Sequence, residues 1–147
     1  MSYFASLFGN EIQTKGGVLP TTEALANTKV VGIYFSAHWC PPCRAFTPLL
    51  STFYEDLVED HEDVEIVFVS SDKEEAGFDE YWSQMTFPAL PYAQRDIKGE
   101  LTEKFNVKFI PTLVFVDAEG NVLSTEGKKM VESARGSVDF IRKELGL

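Results

Sequence analysis

Two cysteines, separated by two residues, are the residues of this sequence best suited to chemistry. Cys40 and Cys43 lie in the hexapeptide WCPPCR at residues 39–44 and are the only cysteines among the 147 residues. This spacing allows a short disulfide, and it also occurs among the ligands of zinc sites. The pair therefore predicts either thiol–disulfide exchange or metal binding.

The rest of the sequence supplies few further metal ligands. A structural zinc site uses about four ligands, but the chain has no second pair of cysteines, and its two histidines, His38 and His61, lie far apart in sequence. A metal is therefore not expected. A buried, inert cysteine pair is also disfavoured, because Pro41 and Pro42 fit the start of a helix and not its interior.

The cysteines follow an apolar run and precede a helical pattern. Residues 29–36 (KVVGIYFS) predict a strand buried on both faces. Apolar residues recur every three or four positions over residues 43–60, which predicts a helix. In an open α/β sheet, function lies at the carboxyl ends of the parallel strands, where Cys40 falls. The unpaired N–H groups and the dipole of the helix favour an anion there.

This position predicts different roles for the two sulfurs. A helix N-terminus lowers the pKa of a thiol from its free value of about 8.5, so we predict that Cys40 is the nucleophile. Cys43, one turn further, is expected to be more buried and to act as the resolving thiol. Pro41 and Pro42 stiffen the ring between the sulfurs. Trp39 either forms an apolar wall beside the exposed sulfur or packs in the core.

The remaining pattern predicts a mixed β-sheet with helices on both faces. Strands are expected at 18–20, 64–70, 112–116 and 121–124, helices at 74–84, 99–105 and 137–145, and an extended loop at 87–92. The strand–helix–strand order implies a parallel pair with a right-handed crossover, to which the hairpin at 112–124 adds antiparallel strands. We predict a single α/β domain over residues 1–147, in which residues 1–28 are the hardest to assign.

A second signal lies at Ile110-Pro111-Thr112, directly before a predicted strand. Only about 5–6% of X–Pro bonds are cis. The start of strand 112–116 is expected at the same edge of the sheet as Cys40, and a cis bond between Ile110 and Pro111 would leave backbone groups there to pair with an extended thiol substrate.

These residues together resemble the thioredoxins, and over a longer match the tryparedoxins and nucleoredoxins. Residues 34–48 (YFSAHWCPPCRAFTP) are similar to the tryparedoxin active-site segment almost residue for residue. Weaker similarity extends over about residues 29–125. The resemblance implies a thioredoxin-like fold and a dithiol oxidoreductase that uses its own disulfide and no dissociable cofactor.

The resemblance also implies partners. In trypanosomatid tryparedoxins the reductant is trypanothione, a bis-glutathionyl spermidine, and the clients include peroxidases. We therefore expect a low-molecular-weight thiol of the trypanothione or glutathione type as reductant, and protein disulfides such as peroxidases as clients. The alternatives are a nucleoredoxin-like or thioredoxin-like protein reduced by a flavoenzyme, and a non-catalytic, redox-sensitive interaction module.

Several family positions transfer to this sequence. Those that match are Trp39, Cys40, Pro41, Cys43 and the cis-proline position Pro111. Tyr34 occupies the position at which ordinary thioredoxins have a buried Asp. Tryparedoxins also have Tyr at this position.

Two further positions leave a question open. Asp72 corresponds to an acidic tryparedoxin residue and is expected to be a proton relay; alternatively, it is the N-cap of the following helix. Met85-Thr86-Phe87 replaces a Met-Pro-Trp of tryparedoxins, which predicts altered substrate contacts on loop 85–92.

The charge balance argues against two classes of partner. Thirteen Lys and Arg face twenty-three Asp and Glu, a net charge of −10. Nucleic acids and anionic membranes bind basic surfaces, so neither is expected; the acidic surface steers basic partners or serves solubility.

We find no apolar run of about 18 residues and no basic N-terminal signal region, and we expect a cytoplasmic monomer without structural disulfides.

Overall fold

A computed structural model describes residues 3–147, and within this range the chain forms seven helices and six strands. In chain order these are α1 (Phe4–Phe8), β1 (Glu11–Thr14), β2 (Gly17–Pro20), α2 (Thr21–Ala24), β3 (Val30–Ser36), α3 (Pro41–Asp60), β4 (Val64–Ser70), α4 (Glu75–Trp82), α5 (Arg95–Lys104), β5 (Thr112–Asp117), β6 (Val122–Ser124), α6 (Gly127–Ala134) and α7 (Val138–Glu144). None of the helices in this range is long and apolar enough to span a bilayer.

The predicted mixed sheet is confirmed. Its strand order is β4-β3-β5-β6, in which β3 is parallel to β4, and β5 is antiparallel to both β3 and β6. All seven residues of β3 are buried, as expected for a central strand whose two faces are both covered. The register places Ser36 beside Ser70 and Phe35 beside Thr112, so the loops after β3 and β4 and before β5 meet at one edge.

Successive residues of β3 enter two separate cores. Tyr34 packs with the inward faces of α3, α4, α6 and α7, whereas Ile33 and Phe35 pack with α1, α2 and α5. This alternation follows from the period of two in a strand, which directs neighbouring side chains to opposite faces. Helices therefore cover both faces of the sheet, as the sequence predicted.

The helix that carries the cysteines starts earlier than its apolar period indicates. The spacing predicts residues 43–60, but α3 begins at Pro41 and continues through Pro48 to Asp60. Proline is compatible with the first turn because the N–H that it lacks has no partner there in any helix.

Other differences occur where the local pattern is weak. α5 begins at Arg95 and not at residue 99, with Gly99 in its interior, and α6 (Gly127–Ala134) was not predicted. In the first 28 residues, the expected edge strand at 18–20 falls within β2 (Gly17–Pro20). The other three elements of this stretch, α1, β1 and α2, were not predicted. Each missed element is eight residues or shorter, so each shows too few apolar repeats to be recognised.

Loop 85–92 is part of the core and not a surface loop. Met85, Phe87, Ala89 and Leu90 are 3% exposed or less. Ala89 forms single β-bridges to Phe68 in β4 and to Gln13 in β1, which forms an antiparallel hairpin with β2. The loop thereby connects the hairpin to the main sheet.

Candidate active site

The junction of β3 and α3 holds both cysteines. Cys40 is the N-cap residue of α3, and its sulfur accepts the backbone N–H of Cys43 at 3.4 Å. That N–H is one of the donors that the first turn of a helix leaves without a backbone partner. Pro41 and Pro42 occupy the first two helical positions and are exposed. The prediction that this segment starts the helix is confirmed.

Cys40 and Cys43 are joined by a disulfide, with their Cα atoms 5.2 Å apart. Cys43 has no exposed surface, and Cys40 retains 5%. Cys43 is thus the more buried of the two, as expected, but Cys40 is far less exposed than the sequence analysis assumed. The small exposed fraction lies on Cys40, so a substrate reaches that residue first.

The predicted cis bond between Ile110 and Pro111 is present. Ile110 packs against the buried cluster of Ala37, Cys40 and Cys43, and its carbonyl oxygen lies 3.8 Å from Sγ of Cys40. Strand β5 begins directly afterwards at Thr112. The structure therefore brings Ile110 and Pro111 to the disulfide, across about seventy residues of sequence.

Asp72 follows β4 and is almost buried, with 6% of its surface exposed. One carboxylate oxygen accepts the backbone N–H of His38 at 2.8 Å, and the other accepts the hydroxyl of Ser70 at 2.7 Å. The helix-cap alternative is wrong, because the N-cap residue of α4 is Glu74 and no side chain caps that helix. Asp72 instead holds the turn that leads into Cys40.

The same turn is held by two further side chains. Arg44 donates from Nη1 to the carbonyl oxygen of His38 at 2.6 Å, and Trp39 donates from Nε1 to the carbonyl oxygen of Ser71 at 3.2 Å. The ring of Trp39 remains 54% exposed. Core packing of Trp39 is therefore wrong, and its ring forms a surface wall next to Cys40.

A chain of buried hydroxyl groups lies next to Cys43, whose carbonyl oxygen is 3.5 Å from the hydroxyl of Tyr34. Thr47 Oγ1 lies 2.7 Å from the hydroxyl of Tyr34 and 2.6 Å from the hydroxyl of Tyr81. The Tyr81 hydroxyl also lies 2.7 Å from Ser36 Oγ. Burial, with the neighbouring Tyr81, raises the pKa of Tyr34 well above its usual value of about 10. Tyr34 is therefore a neutral hydrogen-bonding group that connects β3 to α3.

Sequence reasoning missed the side chains that support the site, namely Ser36, Arg44, Thr47, Ser70 and Tyr81. A signal existed for Thr47, because it follows Cys43 by four positions and so lies on the same face of α3. Tyr81 was predicted to face inward, but nothing in the sequence indicates its hydroxyl partners.

Loop 85–92 contacts the site through Tyr92, whose hydroxyl donates to the carbonyl oxygen of Asp72 at 2.8 Å. None of its residues lines the two cavities that adjoin Trp39, which measure about 380 and 310 Å³. Phe87 lies inside the core, and the altered substrate contacts on this loop stay a prediction. Among residues 3–147, no group of three or more His, Cys, Asp or Glu side chains is placed to hold a metal ion.

The chain is similar to known proteins over most of its length. The family described as thioredoxin-like matches residues 27–122. Tryparedoxin from Trypanosoma brucei brucei is 41% identical over 113 residues, which cover 74% of this chain and 76% of that protein. Nucleoredoxin from Danio rerio is 40% identical over 109 residues, or 74% of this chain but only 26% of that protein. The chain thus corresponds to about a quarter of the nucleoredoxins that it matches.

Solved structures agree with these matches. Native tryparedoxin I from Crithidia fasciculata has 36% identity and a TM-score of 0.84, covering 93% of this chain and 95% of its own. Tryparedoxin II in complex with glutathionylspermidine has 37% identity and a TM-score of 0.82, covering 90% and 92%. The matches in sequence and in fold agree, and the chain belongs to the thioredoxin-like family, with tryparedoxins and nucleoredoxins as its relatives.

Proposed function

We propose that this protein is a thiol–disulfide oxidoreductase of the tryparedoxin type. It passes two electrons from a low-molecular-weight dithiol to the disulfides of client proteins by cycling Cys40 and Cys43 between dithiol and disulfide. The observation that carries the proposal is the disulfide at the N-terminus of α3, with the Ile110 carbonyl oxygen 3.8 Å from Cys40 Sγ. No dissociable cofactor takes part, and the cycle suits a reducing compartment such as the cytoplasm.

Reduction of a client proceeds in two exchanges. The thiolate of Cys40 attacks one sulfur of the client disulfide, forming a mixed disulfide and releasing the other sulfur as a thiolate that takes up a proton. Cys43 then loses its proton and attacks Cys40 Sγ, which restores the Cys40–Cys43 disulfide and releases the second client thiol. Two electrons and two protons have moved to the client.

The supporting residues assist these exchanges by holding Cys40 in place. The N–H of Cys43 already donates to Cys40 Sγ, and the same bond would stabilise a thiolate at that position. Asp72, Arg44 and Trp39 fix the turn before Cys40, so the sulfur keeps its position through the cycle.

The reductant in this proposal is a thiol of the glutathione type, with trypanothione as the first candidate. Its support is the similarity to tryparedoxin II, whose structure holds glutathionylspermidine. A dithiol of this kind attacks the Cys40–Cys43 disulfide and is itself oxidised to a disulfide. Both cysteines are thereby reduced to thiols. Protein disulfides, including those of peroxidases, are the proposed clients, and the protein is proposed to act as a monomer.

Two other functions remain as competitors. Nucleoredoxin relatives favour a thioredoxin-like protein that a flavoenzyme reduces. A non-catalytic, redox-sensitive interaction module is disfavoured by the presence of both cysteines in a disulfide.

Reduction of insulin, with each reductant supplied separately, distinguishes these functions. We expect turnover with trypanothione, slower turnover with glutathione, and none with NADPH and thioredoxin reductase. Turnover only with NADPH and thioredoxin reductase would show that the reductant is a flavoenzyme and not a low-molecular-weight thiol. Turnover with none of the three would favour the interaction module. A Cys40→Ser variant is the control for disulfide reduction that does not use this site.

A further inference from the structure

Two side chains that do not touch the disulfide hold the segment 70–72 at the end of β4. Nη1 of Arg95 donates to the carbonyl oxygen of Ser70 at 2.8 Å. The hydroxyl of Tyr92 donates to the carbonyl oxygen of Asp72 at 2.8 Å. Because both acceptors are backbone atoms, these bonds fix the course of the chain through the segment and not only the direction of a side chain.

Arg95 and Tyr92 act as one unit. Cζ of Arg95 lies 3.9 Å from the centroid of the Tyr92 ring, and Nε of Arg95 donates to the carbonyl oxygen of Tyr92. A guanidinium is planar, stacks on aromatic rings and presents its donors in a rigid fork. One side chain can therefore bond Ser70 and Tyr92 at the same time. We call this pair of residues the Arg95–Tyr92 clamp.

The segment 70–72 in turn holds the turn that leads into Cys40. The carboxylate of Asp72 accepts the backbone N–H of His38 at 2.8 Å. The carbonyl oxygen of Ser71 accepts Nε1 of Trp39 at 3.2 Å. The Arg95–Tyr92 clamp is thus connected to Cys40 through two hydrogen bonds of the intervening segment.

Arg95 is an expensive residue for this place if stability alone is considered. Within residues 3–147, its Nη2 is buried and has no hydrogen-bond partner. Burial also lowers the pKa of the Arg95 guanidinium, because it removes water from the charged form. A buried donor without a partner reduces stability and calls for an explanation. The segment that Arg95 holds supplies one.

The clamp has more to do when the disulfide is open. In the oxidised protein the S–S bond ties Cys40 to Cys43 in α3, whatever the preceding turn does. In the dithiol form only non-covalent contacts keep Cys40 at the N-cap, where the N–H of Cys43 donates to its sulfur. A thiolate gains from that donor only while the turn keeps its place. Loss of the clamp is therefore expected to destabilise the dithiol form more than the disulfide form.

We infer that Arg95 is a positioning residue that, together with Tyr92, keeps Cys40 at the N-cap of α3 while the disulfide is open. The inference rests on the proposed function, because it concerns the reduced state of the same two cysteines. By linkage, contacts that stabilise the dithiol form more than the disulfide form also shift the redox equilibrium toward the dithiol. The clamp thus helps to set the reducing power of the protein from the start of α5.

The test compares the two redox forms of the wild type and of Arg95→Met. The ratio of disulfide to dithiol is measured in buffers of reduced and oxidised glutathione, and urea denaturation gives the free energy of unfolding of each form. We expect Arg95→Met to shift the ratio toward the disulfide by at least about threefold, with the larger loss of stability in the dithiol form. A role in stability alone would lower both forms equally and leave the ratio unchanged.

Two milder variants separate the contacts of the clamp. Arg95→Lys keeps the positive charge but not the fork, so we expect a smaller shift than in Arg95→Met. Tyr92→Phe keeps the ring and removes only the hydroxyl that holds Asp72, and it should shift the ratio in the same direction. If Arg95→Met does not fold, these two variants decide, and an unchanged ratio in both would overturn the inference.

Arg142→Met is the matched control. Arg142 also makes two side-chain hydrogen bonds, but its partner Asp63 directly precedes β4, at the edge of the sheet opposite Cys40. We expect this variant to lose the same stability in both redox forms and to keep the wild-type ratio. Equal losses in the two forms of Arg95→Met, with an unchanged ratio, would show that Arg95 is merely structural and overturn the inference.

Failure of the proposed function gives a different result from failure of the clamp. If the wild-type disulfide does not equilibrate with glutathione and the reduced protein does not reduce insulin, the oxidoreductase proposal itself fails. If the wild type does both and the Arg95 variants keep its ratio, only the clamp fails.

Discussion

The carboxylate of Asp72 and the backbone N–H of His38 are 2.8 Å apart, which joins the loop after β4 to the turn before Cys40. The parallel register makes this contact possible, because Ser36 pairs with Ser70 and the two loops leave the sheet side by side. Both carboxylate oxygens of Asp72 are engaged, one by His38 and one by Ser70. This geometry favours a positioning role for Asp72 over a proton relay.

Two substitutions of Asp72 distinguish these roles. Asp72→Ala leaves the partly buried N–H of His38 without its acceptor, and we expect a loss of about 1–3 kcal/mol in the free energy of unfolding together with slower insulin reduction. Asp72→Asn keeps an acceptor for that N–H and removes the charge, while the amide NH2 replaces the oxygen that accepts the Ser70 hydroxyl. We expect it to retain activity within roughly threefold, with an unchanged pH profile of kcat/KM. A profile shifted in Asp72→Asn would show a proton relay instead.

The buried hydroxyl groups are expected to differ in importance. Tyr81→Phe removes the hydrogen-bond partner that Ser36 has in this structure, leaving a buried hydroxyl unpaired, and should lower the free energy of unfolding by about 1–3 kcal/mol. Tyr34→Phe leaves Thr47 bonded to Tyr81, so we expect a smaller loss of about 0.5–1.5 kcal/mol. Urea denaturation of both variants measures the difference. Equal losses, or a larger loss in Tyr34→Phe, would mean that the hydroxyl chain is not arranged as described.

The sequence was sufficient for the parts of the fold with long or distinctive patterns. The apolar run of β3, the proline pair at the start of α3 and Ile110-Pro111 each have a local physical cause, so their structure and their meeting at one edge of the sheet were predictable. The partners of Asp72 were not, because they depend on the register of β3 against β4.

The pair of Asp63 and Arg142 predicts a pH dependence of stability away from the disulfide. Two hydrogen bonds of 2.6 and 3.1 Å from Arg142 hold the pKa of the Asp63 carboxyl below its usual value. A carboxyl whose pKa is lowered in the folded state stabilises the protein at every pH above its pKa in the unfolded chain, about 3.9. This contribution is lost as the pH falls through the pKa of the folded state. Asp63→Asn should therefore reduce stability at pH 7, by at most about 1 kcal/mol.

The same comparison at lower pH supplies the check. The difference in the free energy of unfolding between the wild type and Asp63→Asn should shrink as the pH falls below about 4. Glu132→Gln is the control, because its partner Lys128 and Glu132 itself are more exposed, at 37% and 48% of their side chains. We expect almost no effect from it at any pH. A difference for Asp63→Asn that stays constant from pH 7 to pH 3 would contradict the account.

The central claim, that Cys40 is the nucleophile and Cys43 the resolving thiol, is tested most directly by alkylation of the reduced protein. A limiting amount of iodoacetamide is added at pH 7, and peptide mapping by mass spectrometry measures the modification of each cysteine over time. We predict that Cys40 reacts at least about tenfold faster than Cys43, because it occupies the N-cap of α3 and retains the exposed surface of the pair. Faster modification of Cys43, or no reaction of Cys40 at this pH, would contradict the mechanism.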